Sequence, residues 1–151
     1  MNIIKNITLT ASIALLLFVV LPAHAENNKK INDKNNSVTF KEVMQGLLID
    51  TKNITEGIVL GDFSLIENAA SNIEKHPKPS MSQRKKIMKA IASDITTLKS
   101  FDHVVHEGAM KIKQAAKDKN IDAVIDEYQK FIIGCQSCHN IFKTRLSKAL
   151  Q

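Results

Sequence analysis

The sequence has no tryptophan, one tyrosine and six phenylalanines in 151 residues. Proteins that bind nucleic acid combine aromatic stacking platforms with clustered cations, whereas here the lysines are spread along every segment. Nucleic acid is therefore excluded as a partner. The five glycines form no run, so there is no loop to cradle a phosphate. Only two cysteines are present, too few for a zinc site closed by thiolates. No segment alternates apolar and polar residues as a half-buried strand does. We find no paired carboxylates and no nucleophile beside a base, and the expectation is a protein that is not an enzyme. The net charge of +6 is mild, compatible with acidic partner proteins.

The N-terminus reads as an address. Lys5 is the only charge before an apolar run from Ile7 to Leu21, and Ala23-His24-Ala25 follows as a small-x-small cleavage pattern. This order predicts a secretory signal peptide over residues 1–25. The apolar run is short for a membrane anchor, so no membrane span is expected after cleavage. Residues 26–37, rich in Asn and Lys, predict a flexible tail. The remainder, 38–151, suffices for one domain with one core.

That domain is all-α by its periodicity. Phe40, Val43, Met44, Leu47, Leu48, Ile54 and Ile58 recur at helical spacing, predicting a helix from about Val38 to Leu60 that stops at Gly61. Asp62 caps a second helix carrying Phe63, Ile66, Ala69, Ala70 and Ile73, ended by His76-Pro77-Lys78-Pro79. Ser80-Met81-Ser82-Gln83 has the capping-box pattern. It opens a third helix in which Ile87, Ile91, Ile95, Leu98, Phe101, Val105, Ala109, Ile112 and Ala116 predict about ten unbroken turns. Asp118-Lys119-Asn120 is a polar corner. A fourth helix carries Ile121, Val124, Ile125, Tyr128, Phe131, Ile132, Cys135, Cys138, Phe142 and Leu146. The expected architecture is an antiparallel up-down-up-down four-helix bundle.

Both cysteines fall in Cys135-Gln136-Ser137-Cys138-His139. Cys-x-x-Cys-His is the attachment pattern of c-type haem, in which two thiols form thioethers to one porphyrin edge and the histidine ligates the iron. On a helix, Cys135, Cys138 and His139 share one face, and the motif is in phase with the apolar stripe. A disulfide or redox pair is the rival reading, but such a motif follows a strand, and none is predicted here.

An all-helical, exported domain with this motif near its C-terminus resembles the class II cytochromes c, namely cytochrome c-prime and its low-spin relatives, over about residues 38–149. The resemblance implies one covalently attached haem c, with Cys135 and Cys138 as thioethers and His139 as proximal iron ligand. Phe142 matches the family's aromatic position three after the histidine. Lys143 stands where arginine is usual. Phe40, with Lys41 the nearest cation, stands where an arginine often meets a haem propionate. The family also implies a periplasmic location, redox partner proteins and a possible homodimer through the first two helices.

Met44 decides function within that resemblance. It looks like the methionine that the first helix of low-spin members supplies as distal ligand, which suits electron transfer. If Met44 only fills core, the iron keeps an open face for nitric oxide or carbon monoxide. A third possibility is a haem-free interaction module with Cys135 and Cys138 as a disulfide. His103 and His106, beside Asp102 and Glu107, offer a shallow metal site or a solvated face. His76, beside a proline, is expected to be exposed.

Overall fold

The computed structural model describes residues 38–151; the predicted signal peptide and tail lie outside them. The described chain is all-helical: α1 (Phe40–Leu60), α2 (Phe63–Glu74), α3 (Met81–Ala90), a 3₁₀ turn (Ala92–Asp94), α4 (Ile95–Lys117) and α5 (Ile121–Ala149). None of these helices is long and apolar enough to cross a membrane.

Local chemistry sets the ends. Thr39 and Glu42 form a reciprocal capping box at the start of α1, with Glu42 N donating to Thr39 Oγ1 at 3.1 Å and Thr39 N to Glu42 Oε2 at 2.8 Å. Gly61 ends α1 in the left-handed region at φ 68°, where a Cβ is penalised. Asp62 accepts from Leu65 N at 2.9 Å and starts α2. Asn120 does the same for α5, accepting from Ala123 N at 3.1 Å. These two-residue and three-residue connections fold α1 on α2, and α4 on α5, as helical hairpins.

The third predicted helix is not continuous. The ladder stops at Ile91, whose φ, ψ of −126°, 26° are not helical, and resumes at Ile95 after a 3₁₀ turn closed by Asp94 N to Ile91 O at 2.6 Å. Ser93, Asp94, Thr96 and Thr97 surround the break. Short hydroxyl and carboxylate side chains compete with the backbone ladder. Among the described residues there are therefore five α-helices in place of the four expected.

The Ser80 capping box is also only half formed. Ser80 Oγ accepts from Gln83 N at 3.3 Å, but Gln83 Oε1 instead accepts from Phe40 N at 3.4 Å, and Ser80 N donates to Val38 O at 2.8 Å. The start of α3 thus holds the start of α1.

Burial divides the core in two. The larger cluster joins Ile54, Ile66, Ile73, Ile112, Val124 and Phe131 with small alanines, and Leu47, Val105, Tyr128 and Cys135 pack against it. The smaller joins Ile87, Ile91, Phe142 and Leu146, with Phe40, Leu98, Phe101 and Cys138 packed against it. α4 packs along both α2 and α5, whereas α1 lies mainly on α2. Tyr128 ties α5 to α1 through Thr55 Oγ1 at 2.6 Å and Thr51 O at 3.3 Å.

Candidate functional site

The Cys-x-x-Cys-His motif occupies the middle of α5, where that helix passes from one cluster to the other. Cys135 packs against the larger cluster and Cys138 against the smaller. Both thiols are free and half-buried. On α1, Phe40 packs against the smaller cluster and Leu47 against the larger. Met44, half-buried, stands one turn from each. Met44 itself is packed in neither cluster; along α1 it falls between a residue of each, as the change of cluster falls between Cys135 and Cys138 along α5.

Burial pushes the Cys135 thiol up to about 11, and the neighbouring Cys138 adds to the effect. Burial also raises Cys138, with the Asp102 carboxylate of α4 as second cause. Both are thus neutral thiols near pH 7. A zinc–thiolate or dithiol redox centre needs the thiolate, which these surroundings oppose. A thioether carries neither proton nor charge, so burial costs it nothing. A disulfide is equally neutral, so the burial of the pair is compatible with thioethers or a disulfide and opposes a thiolate centre.

His139 is exposed, and no hydrogen bond or ion pair engages its ring among the described residues, which leaves both ring nitrogens free to ligate. Phe142 is 1% exposed. Its ring meets Phe101 edge-on, centroids 6.4 Å apart at 73°, and lies 5.3 Å below the Arg145 guanidinium. Lys143 is exposed and makes no ion pair among the described residues. The cation that engages the Phe142 ring is thus Arg145, which the sequence reading passed over although it lies three residues on, along the same helix face. An open groove of about 650 Å³ runs along this side of α5, lined by Asp94, Thr97, Ile141, Phe142, Thr144, Arg145 and Lys148. Of the predicted site residues, Phe142 alone lines it.

The histidines group differently from the sequence expectation. His103 is exposed and faces Glu107 at 3.7 Å. His106 instead meets His76 in a ring stack, centroids 4.7 Å apart and 27° between planes. His76 is not exposed as expected: its side chain retains only 14% of its accessibility, because the turn after α2 folds it against α4. No protein family, curated protein or solved structure matches the chain.

Proposed function

We propose that this chain is an exported monohaem c-type cytochrome that carries single electrons between protein partners in the periplasm. It would be built as a four-helix bundle in which α3 and α4 together form the third rod. The observation that supports this reading is one of order along two helices: Met44 lies between Phe40 and Leu47 on α1, which pack against the smaller and the larger cluster, and Cys135 and Cys138 on α5 pack against the larger and the smaller.

In this reading Cys135 and Cys138 hold the haem as thioethers, and His139 and Met44 are the two axial ligands. When bound, the haem iron supplies a one-electron Fe(III)/Fe(II) couple. The chain's own part is to hold both ligands still. The Thr39–Glu42 box and the Val38–Ser80 and Phe40–Gln83 hydrogen bonds fix the turn of α1 that precedes Met44. A fixed, neutral thioether favours the reduced metal and raises its potential, and a ligand that stays in place in both oxidation states suits outer-sphere transfer. The exposed cations Lys41 and Lys143, one helical turn from Met44 and from His139 respectively, would steer an acidic redox partner toward them.

The test is the optical spectrum of the exported protein, ferric and ferrous, for the native chain and Met44→Ala, after haem retention through acid–acetone extraction has been measured. A low-spin spectrum with a long-wavelength sulfur–iron band that Met44→Ala abolishes is the expected result. A high-spin spectrum indifferent to the substitution would reject Met44 ligation and favour small-gas binding. Haem lost on extraction would reject covalent attachment altogether.

A further inference from the structure

We propose that His76, Asp102 and His106 bind one divalent transition-metal ion of the zinc class where the end of α2 meets α4. The site contains no residue of the Cys-x-x-Cys-His motif. Two imidazoles and one carboxylate form a donor set of the borderline kind that zinc prefers. One ligand atom from each residue lies within 4.8 Å of the other two.

The spacing favours an ion over a simple hydrogen-bonded cluster. Asp102 Oδ1 is 3.9 Å from His76 Nε2, and Asp102 Oδ2 is 3.9 Å from His106 Nε2. Both separations exceed hydrogen-bonding distance, so the carboxylate is committed to neither ring. Zinc with bonds of about 2.0–2.1 Å holds neighbouring ligand atoms about 3.0–3.4 Å apart. Closing on such an ion asks each side chain for only a small rotation.

Three features prepare the donors. Asp102 and His106 are four residues apart on α4, so they share a face. His76 is set just beyond α2, with its N–H donating to Ile73 O at 3.3 Å and Pro77 restricting its backbone. His76 Nδ1 is 3.1 Å from Pro77 O. Donating there fixes the tautomer and leaves the Nε2 lone pair toward Asp102 and His106, the outer hydrogen bond that metal-bound histidines characteristically make.

The surroundings accept a cation. Lys113, the nearby positive group on α4, is engaged by Glu74 of α2, whose carboxylate also feels His106. Asp102 keeps 61% of its side-chain accessibility and His106 33%. An ion can therefore enter from solvent, and water can complete the coordination that three protein ligands leave open.

The experiment is equilibrium dialysis of the exported protein against Zn²⁺, with zinc and haem quantified together. One zinc per chain is expected, with affinity falling roughly tenfold or more in His76→Ala, His106→Ala and Asp102→Asn and unchanged in His103→Ala. Metal-free circular dichroism should be the same for all, and Zn²⁺ should raise the melting temperature of the native chain but not of His76→Ala/His106→Ala. Zinc bound no more tightly by the native chain than by that double variant would overturn the site. So would an equal loss in His103→Ala.

Discussion

Arg145 of α5 donates to Asp94 in the 3₁₀ turn, Nη2 to Oδ2 at 2.7 Å, while its guanidinium lies over the Phe142 ring at 5.3 Å. One side chain therefore joins the break between α3 and α4 to the helix that carries the Cys-x-x-Cys-His motif. The pair is half-exposed, at 41% and 39% of side-chain accessibility, so water screens it and its contribution stays at the surface value of about 0–1 kcal/mol. The ring contact adds about 0.5–1 kcal/mol. Arg145→Ala should cost about 1 kcal/mol in urea unfolding. Arg145→Lys should recover only part, because lysine lacks the planar fork that meets both partners. Asp94→Asn should cost less than Arg145→Ala, and high salt should shrink the ion-pair cost common to both while the difference, the ring contact, persists.

Much of the framework was legible in local sequence. Gly61 and Asp62 act as read, because a cap is decided by one side chain and its next three residues, whereas Asn120, read only as part of a polar corner, is the N-cap of α5. The interruption at Ile91–Asp94 was not read, since Ile91 and Ile95 are four apart and the apolar stripe keeps its phase across the break. The signal lay in the polar positions Ser93, Asp94, Thr96 and Thr97. The Thr39–Glu42 box was equally present in the sequence and was passed over. Gln83 shows the limit of local reading: the capping pattern is real, but a long-range partner, the Phe40 amide, takes its carbonyl oxygen. His76 was misplaced for the same reason, because its burial depends on α4, which begins well beyond it in sequence. That Phe40 and Leu47, on either side of Met44, pack against different clusters, as Cys135 and Cys138 do, needed the division of the core in two, and periodicity alone carries no such division.

Gly57 separates packing from propensity. A Cβ there would stand 2.6 Å from Ile66 Cγ1 and 3.0 Å from Asp62 O, and Ile66 is fully buried. Alanine would gain about 0.5–1 kcal/mol of helix propensity but incur an overpacking cost of about 1–3 kcal/mol. Gly57→Ala should therefore lower stability by about 1–2 kcal/mol. Ile66→Val beside it would not restore the loss, because the Asp62 carbonyl stays in place. Denaturant midpoints of both single variants and the double variant decide the matter.

Lys119 is the only described residue other than glycine with positive φ, at 53°. It occupies the left-handed position between α4 and α5, with its N–H donating to Ala116 O at 3.0 Å. That conformation costs a side-chain-bearing residue about 1–2 kcal/mol, against which glycine loses some unfolded-chain entropy. Lys119→Gly should raise stability by about 0.5–1 kcal/mol, measured as a higher denaturant midpoint with an unchanged slope. Lys119→Val, with its branched Cβ, should lower it.

The state of the two cysteines gives a prediction with a definite sign in pH. In a haem-free chain, the Cys135 thiol holds its proton to about 11 when folded, against an ordinary value of 9.0. Between those values the unfolded chain binds fewer protons than the folded one, so the free energy of unfolding falls as pH rises. The stability present below pH 9 is thus progressively lost toward pH 11. Cys135→Ser removes the Cys135 share of that slope and leaves the share from Cys138, whose thiol burial also raises, and alkylation of Cys135 at pH 8 should be slow because little thiolate exists. Once both sulfurs are thioethers there is no proton to lose. The exported protein should then show neither free thiol after denaturation nor this alkaline slope. A haem-containing protein that still titrated two thiols would show that its haem is not held by Cys135 and Cys138.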